Sequence, residues 1–290
     1  MHMTEAKGIL SGSGNALGMN IYRGCTHGCI YCDSHSACYQ MNHPFEDVEV
    51  KRNAPELLEK ALRSRRKKGM IATGSMSDPY IPAEAQLQLT RRCLKIIRAY
   101  GFGAAVLTKS DLILRDLDLL RDISRNTKCV VQMTLTAADD ALSRRIEPNV
   151  CTSARRIQVL EIMRSEGIPT IVWLSPVLPF ISDTEENLKE ILDGCIHAGV
   201  KGIICFGMGM TLREGNREYY YEMLDRKFPG LRAVYESTYG TAYEVMSPRS
   251  AELMRLFHDT CSAHHILHTP ESCFAWMREF PNPYEQLSLF

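Results

Sequence analysis

The stretch Arg23-Gly24-Cys25-Thr26-His27-Gly28-Cys29-Ile30-Tyr31-Cys32 determines how the rest of the chain is interpreted. Its cysteines are separated by three and then two residues, so one tight loop can direct three thiolates at a common centre. Three thiolates suit a 4Fe–4S cluster in which one iron keeps an open coordination position. Such an iron can bind and activate a further ligand. Cys25, Cys29 and Cys32 are therefore the predicted metal ligands.

A structural zinc knuckle is the alternative interpretation of this segment. His27, His35 and Cys38 lie near the three cysteines and could complete a set of nitrogen and sulfur donors. Zinc sites, however, usually combine two pairs of ligands that are separated in the sequence, and no second pair occurs downstream. The spacing therefore favours the cluster, and His27 is interpreted as a loop residue.

The composition predicts one large core in a reducing compartment. The chain has 290 residues, of which 45% are hydrophobic, and its formal net charge is zero. Most of the 11 cysteines lie singly in apolar runs, which is typical of buried thiols. Residues 1–20 lack the apolar core of a signal peptide, and no stretch reaches the length of a membrane span. We therefore expect a cytoplasmic protein without a membrane partner.

Short apolar runs rich in β-branched residues alternate with helical patterns. The predicted strands are 18–22, 69–74, 104–108, 129–135, 168–174 and 202–206, and the predicted helices include 54–66, 83–99, 112–124, 152–166 and 185–197. Six strand-then-helix units with apolar strands indicate a parallel α/β sheet, closed or partly closed into a barrel. In such barrels the chemistry lies at the carboxyl ends of the strands. The polar segments there are 74–79, 108–110, 134–136, 175–176 and 207–211.

The cysteine motif resembles that of the radical S-adenosylmethionine (SAM) enzymes, in which an aromatic residue, here Tyr31, precedes the last cysteine. The resemblance implies a 4Fe–4S cluster, bound SAM and reductive cleavage of SAM to a 5′-deoxyadenosyl radical. It also implies a partial (β/α)6 barrel of the TIM type, here followed by a C-terminal helical extension. A reducing partner such as flavodoxin or ferredoxin would supply the electron.

Further segments resemble the radical SAM branch related to spore photoproduct lyase, the light-independent enzyme that repairs a thymine dimer in DNA. They are 74–80 with Pro82 and Glu84, then 107–109, then Arg144-Arg145-Ile146-Glu147-Pro148. The resemblance implies that Lys109 and a hydroxyl residue after the fourth strand meet the SAM carboxylate, an anion that a fixed ammonium can orient. The alternative interpretation is that Lys109 is an exposed surface residue that does not contact SAM. The residues assigned to SAM binding are Ser75, Ser77, Asp78, Lys109, Thr134 and Thr136.

The sequence departs from the lyase pattern at the hydrogen donor. The lyase donates a hydrogen atom from a cysteine in the loop after the second strand, through two tyrosines that flank the third cluster cysteine. In this chain residues 75–78 of that loop are Ser-Met-Ser-Asp. The residues that flank the third cysteine, Cys32, are Tyr31 and Asp33. A serine O–H bond is too strong to replace a thiol, so the terminal step of the lyase cannot run here unless Cys38 or another thiol substitutes. Tyr31 and Cys38 are the predicted catalytic residues, and an orthodox lyase is not expected.

The last five residues, Gln286-Leu287-Ser288-Leu289-Phe290, resemble the peptide with which bacterial DNA repair and replication proteins dock on the polymerase sliding clamp. Leu289 and Phe290 would fill an apolar pocket while Gln286 hydrogen-bonds at its rim. A tail folded back on the barrel is the alternative. The predicted division of the chain is a core barrel over 1–206, a helical extension packed on it over 207–280 and a flexible tail over 281–290.

The predicted function is a radical SAM enzyme that acts on a damaged or modified base in DNA. The lyase-like loops and the clamp-like tail favour DNA for unrelated reasons. A radical SAM enzyme for a peptide, a protein or RNA is the first alternative, because it would differ only at the substrate mouth. A non-enzymatic, clamp-associated zinc module is the second.

Overall fold

The structure, a computed structural model, describes residues 1–281. The strands are β1 (His2–Thr4), β2 (Leu10–Ser13), β3 (Ala16–Met19), β4 (Tyr22–Arg23), β5 (Glu49–Lys51), β6 (Met70–Thr73), β7 (Gly103–Thr108), β8 (Cys129–Thr134), β9 (Thr170–Trp173), β10 (Gly202–Ile204), β11 (Gly209–Thr211) and β12 (Glu244–Met246). The α-helices are α1 (Ala54–Arg63), α2 (Glu84–Leu87), α3 (Leu89–Ala99), α4 (Leu117–Asn126), α5 (Asp140–Ile146), α6 (Ser153–Ser165), α7 (Glu185–Ala198), α8 (Asn216–Lys227), α9 (Leu231–Tyr239), α10 (Ser250–Ala263) and α11 (Pro270–Arg278).

The main sheet has seven strands in the order β10-β9-β8-β7-β6-β3-β2. The six strands from β10 to β3 run parallel, and β2 is an antiparallel edge strand paired with β3. Because β10 and β2 are the two edges, the sheet is an open, partial barrel. The predicted α/β fold with a parallel, partly closed sheet is confirmed. The predicted first strand, 18–22, is wrong in its bounds, because the chain leaves the main sheet after Met19 and residues 22–23 form β4 in another sheet.

The central strands β7 and β8 are buried on both faces because most of their residues are apolar. In β8 every residue is buried: Val131 joins the large core cluster formed with the outer helices, and Val130 contributes to an apolar cluster on the opposite face. Cys273 and Met277 of α11 belong to that second cluster. The last described helix therefore covers the inner face of the partial barrel.

The prediction of one continuous helix over 83–99 is wrong at Gln88. This residue has a φ of 51°, and it separates α2 from α3. The break lets the buried Glu84 carboxylate accept a hydrogen bond from the Thr90 amide at 3.1 Å, at the start of α3. Arg115 also pairs with Glu84, at 2.7 Å. The lyase-like Glu84 is thus a buried structural residue.

Two small sheets flank the main one, and the sequence pattern did not predict them. β1 pairs in parallel with β5, and β5 pairs with β4 ahead of the cysteine loop. β11 and β12 form an antiparallel ribbon beside the carboxyl end of β10. These strands have two or three residues each, too few to show a hydrophobic period.

Within residues 1–281, none of the helices combines the length and the apolar character needed to cross a bilayer. The predicted clamp-docking peptide, Gln286 to Phe290, lies outside the described residues.

Candidate cluster and cofactor site

A cavity of about 570 Å³ lies at the carboxyl ends of the parallel strands. The cysteine loop and the β11–β12 ribbon both contribute to its lining. The structure thus brings the segments that follow the predicted strands around one space. Residues that line it include Cys25, Cys29, Tyr31, Cys32, Ser75, Asp78, Thr108, Lys109, Thr134, Trp173, Ser175, Phe206, Gly207, Thr211, Glu244 and Met246.

The cysteine loop is held in place by backbone hydrogen bonds to residues 146–149. The Ile30 amide donates to the Ile146 carbonyl at 3.0 Å, and the Asn149 amide donates to the His27 carbonyl at 3.1 Å. These residues overlap the segment that resembles the lyase branch. That segment therefore holds the cysteine loop in position.

Glycine is required at two of the turns that lead into the cavity. Gly24 has a φ of 96°, and a Cβ there would lie 2.4 Å from the Phe45 carbonyl oxygen, which accepts a hydrogen bond from the Cys25 amide. Gly74 has a φ of 102°, and its Cβ would lie 2.0 Å from the Leu107 carbonyl oxygen. Any side chain at either position would displace the backbone that forms the site.

The three cysteines fit an iron–sulfur cluster better than a single zinc ion. All three line the cavity and are free thiols. In residues 1–281 the sulfurs of Cys25, Cys29 and Cys32 do not form a set within 4.8 Å of one another, although zinc–sulfur bonds of about 2.3 Å would bring the ligands of one ion that close. Burial raises the pKa of each thiol, that of Cys25 to about 12. The trio therefore needs a strongly cationic centre to be held as thiolates.

A buried ion pair supports the wall formed by Tyr31. Glu147 and Arg156 are both buried, and Arg156 Nη2 lies 2.6 Å from Glu147 Oε2. The Tyr31 hydroxyl donates to the other oxygen of this carboxylate, and Arg156 Nη1 donates to the Thr134 carbonyl at 3.0 Å. Burial alone would raise the pKa of Glu147, but Arg156 and Lys109 hold it below its ordinary value. The pair thus connects the cysteine loop to the end of β8.

Asp78 ties two loops of the site together. Its Oδ1 accepts hydrogen bonds from the Thr108 hydroxyl at 2.7 Å and the Tyr80 amide at 2.8 Å. Its Oδ2 accepts from the Lys109 amide at 2.8 Å and lies 3.4 Å from His27 Nδ1. With both oxygens engaged, Asp78 positions the backbone from which the Lys109 side chain extends.

Lys109 is the cation of the cavity. Its ammonium lies 6.0 Å from the centre of the Tyr31 ring. Burial lowers the pKa of Lys109, but Cys29, Glu147 and Asp78 outweigh this effect, so its pKa lies above the ordinary value. Lys109 is therefore charged at neutral pH and available to an anionic ligand.

A family model for the radical SAM superfamily matches residues 19–193. This chain belongs to the radical SAM superfamily. Enzymes of this class bind a 4Fe–4S cluster and SAM, so the predicted enzyme class and both cofactors are confirmed. The alternative of a non-enzymatic zinc module is excluded on the same ground.

Relatives of this radical SAM enzyme occur in bacteria and archaea. An uncharacterised protein of Mycobacterium tuberculosis is 30% identical over 243 residues, which cover 82% of this chain and 71% of that protein. An uncharacterised protein of Methanocaldococcus jannaschii is 30% identical over 236 residues, which cover 80% of each chain. The solved structure of spore photoproduct lyase complexed with dinucleoside spore photoproduct has a TM-score of 0.61 and 13% identity, and the match covers 87% of this chain and 75% of that chain. The likeness to the lyase is one of fold.

The residues predicted to bind SAM fall into two groups. Ser77 is buried outside the cavity lining, and so is Thr136, whose hydroxyl lies 3.4 Å from the Tyr31 hydroxyl. The residues that line the cavity are Ser75, Asp78, Lys109 and Thr134.

Cys38 lies outside the residues that line the cavity of this radical SAM enzyme. Its sulfur is exposed and 3.4 Å from Arg213 Nη1. Its neighbour Tyr39 does line the cavity, and the Tyr39 hydroxyl donates to Asp33 at 3.0 Å. A role for Cys38 as hydrogen donor stays a prediction, which this placement does not support.

An aromatic wall is the part of the site that sequence reasoning missed. Trp173 and Phe206 line the cavity with their ring centres 5.8 Å apart, and Phe274 of α11 lies 5.9 Å from Trp173. The Trp173 indole donates to the Gln132 side chain at 2.8 Å, and Phe206 is 59% exposed. In the sequence these residues belonged to apolar strand patterns or a terminal helix. An exposed phenylalanine beside a cavity was visible only in the folded chain.

Proposed function

We propose that this radical SAM enzyme acts on DNA, at a damaged or modified base. The observation that carries the proposal is the aromatic wall, because Phe206 and Trp173 line the cavity and aromatic rings stack on flat heterocycles. Stacking of a base on an aromatic side chain contributes about 1–3 kcal/mol. The fold shared with a lyase that was solved with a dinucleoside photoproduct supports the same substrate class.

The charges of the cavity favour entry of the base alone. Its lining carries the carboxylates of Asp33, Asp78 and Glu244 against the ammonium of Lys109. Asp78 is fully engaged by the protein and Arg213 lies 3.6 Å from Asp33, so the described lining offers phosphates no cation besides Lys109, which the proposal assigns to SAM. In the proposed complex the base is therefore extruded from the stack, as in other enzymes that modify bases, and the backbone stays outside.

In the proposed mechanism Cys25, Cys29 and Cys32 hold the cluster, while Lys109 and Thr134 contact SAM. The chemistry that the cluster and SAM would supply at this site, when bound, is the removal of a hydrogen atom from the substrate. The protein's own contribution is positioning: Asp78 fixes the Lys109 backbone, and the Glu147 carboxylate holds the Tyr31 hydroxyl. Ser75 stands where the lyase pattern has a thiol donor, so the product-forming step differs from that of the lyase.

Formation of 5′-deoxyadenosine by the anaerobically reconstituted, reduced chain tests the proposal. Thymine-rich DNA, irradiated and unirradiated, is compared with RNA and with a peptide mixture of the same concentration. Stimulation by DNA above the other polymers is the expected result, and stimulation by irradiated DNA alone identifies a repair substrate. Equal slow turnover with every polymer would remove DNA as the substrate while leaving the enzyme class intact.

Lys109→Met is expected to weaken SAM binding by about 10- to 100-fold, because a hydrogen bond to a charged group contributes about 1.5–3 kcal/mol. Methionine is an unbranched side chain one atom shorter than lysine, and it carries no charge. The measurement is the Kd of SAM with the cluster in place. Lys189→Met, at an exposed position of α7, is the matched control and should leave the Kd unchanged. An unchanged Kd in Lys109→Met would assign this lysine a structural role.

Phe206→Ala is expected to weaken binding of single-stranded DNA by about tenfold, in line with the loss of one stacked base. Phe206→Leu should lose nearly as much, because leucine restores bulk without a ring. The control is Phe180→Ala, which removes another exposed phenylalanine that packs on Tyr235 and does not line the cavity. Equal DNA affinity in Phe206→Ala and the native chain would argue against the aromatic wall as a base platform.

Docking on the sliding clamp through Gln286, Leu287, Ser288, Leu289 and Phe290 is a second, separate proposal that rests on the sequence. Replacement of Leu289 and Phe290 by alanine should abolish binding to a purified bacterial clamp. Retained binding would reject the peptide as the docking element. The flavodoxin or ferredoxin partner is proposed only from the need for an electron.

A further inference from the structure

A second group of metal-type ligands lies in the small sheet of β1, β5 and β4. His2 in β1, His43 in the loop before β5 and Glu49 in β5 each offer one ligand atom, and these atoms all lie within 4.8 Å of one another. His2 and Glu49 are direct register partners in the parallel β1–β5 pair. The two imidazole rings are 5.0 Å apart at an angle of 84°.

Both imidazoles have their Nδ1 atoms close to an oxygen of a residue outside this group. His43 Nδ1 lies 3.0 Å from the Pro44 carbonyl oxygen, and His2 Nδ1 lies 3.0 Å from Asp47 Oδ2. Each acceptor favours the tautomer with hydrogen on Nδ1, which leaves the Nε2 lone pair for another partner. Histidine ligands of metals are typically oriented by such contacts to a carbonyl or a carboxylate.

His43 has an oxygen acceptor at each of its two ring nitrogens, the Pro44 carbonyl at Nδ1 and the Glu49 carboxylate at Nε2. His43 Nε2 lies 2.8 Å from Glu49 Oε1, yet both atoms are acceptors when Nδ1 carries the only ring hydrogen. A neutral imidazole can donate to only one of these two acceptors, and a metal ion between Nε2 and the carboxylate would make both contacts favourable. The other charges nearby are Arg23, 3.5 Å from the same Glu49 oxygen, and the Met1 ammonium, 2.6 Å from Asp47.

We propose that His2, His43 and Glu49 bind one zinc ion, with water as the fourth ligand. Two imidazoles and a carboxylate are a ligand set that zinc accepts in tetrahedral geometry. The ion would join β1, β5 and the loop between Gln40 and Asp47. That loop also contains Phe45, whose carbonyl accepts a hydrogen bond from the Cys25 amide at 3.1 Å. Zinc at this position would thus support the cysteine loop from outside the cavity.

The test measures zinc bound to the full chain, without a histidine tag and with the cluster in place so that its cysteines are occupied. After treatment with a chelator, the protein is dialysed against limiting Zn²⁺ and analysed for metal. About one zinc per chain is expected for the native protein, and little for His43→Ala, His2→Gln or Glu49→Gln. Asp47→Asn should weaken the affinity by about tenfold, since it removes an orienting carboxylate.

His197→Ala is the matched control, because His197 is an exposed histidine that pairs with Glu161 on the surface. It should bind as much zinc as the native chain. No uptake by the native chain, uptake that survives all three ligand substitutions, or an equal loss in His197→Ala would each overturn the proposal. Circular dichroism of each variant confirms that a loss of zinc is not a loss of fold.

Discussion

Cys29→Ala is expected to lose the cluster iron and all formation of 5′-deoxyadenosine. Cys29 is buried in the cavity wall, and the loop around it is held by the backbone of residues 146–149. No other cysteine lines the described cavity besides Cys25 and Cys32, so a neighbouring thiol cannot replace the missing one. The measurements are iron and sulfide per chain after reconstitution, and 5′-deoxyadenosine from SAM under reducing conditions.

Cys38→Ala provides the matched control, since this cysteine lies in the same segment but is exposed and outside the lining. It should retain the native iron content. Its turnover also decides whether Cys38 returns hydrogen to the product: unchanged product formation removes it from the mechanism. Native iron content in Cys29→Ala would contradict the assignment of the three ligands.

Arg156→Leu is expected to lower the free energy of unfolding by about 3–5 kcal/mol, because it leaves the buried Glu147 carboxylate without its partner. The side chain of Arg156 also bonds the Thr134 carbonyl, so the wall of the cavity should loosen. Urea unfolding followed by circular dichroism measures the change.

The double variant Glu147→Gln with Arg156→Leu should be more stable than Arg156→Leu alone, because it removes the unpaired charge and keeps an acceptor for the Tyr31 hydroxyl. Arg98→Leu is the control for loss of an ion pair at the surface, where Arg98 contacts Asp122 at 2.8 Å. Arg98→Leu should lower the free energy of unfolding by about 0–1 kcal/mol. If the double variant is no more stable than Arg156→Leu, the loss of stability in Arg156→Leu comes mainly from lost packing and not from the unpaired buried charge.

Local patterns in the sequence are sufficient to predict the cluster site and the parallel sheet. The spacing of Cys25, Cys29 and Cys32 is a property of ten consecutive residues, so it predicts their common loop without knowledge of the rest of the chain. The parallel strands are similarly local, since each is an apolar run long enough to be recognised. These features determined the family, the cofactors and the end of the barrel at which the site lies.

Only the tertiary structure decided which polar side chains meet. Tyr31 bonds Glu147, which lies 116 residues away in sequence, and His2 reaches Glu49 through the register of two three-residue strands. Asp78 was predicted to bind SAM, and the structure shows both of its oxygens engaged by the protein. The physical reason is that a buried polar group needs a partner in its own surroundings. The choice of that partner depends on how distant segments pack, which no local spacing in the sequence records.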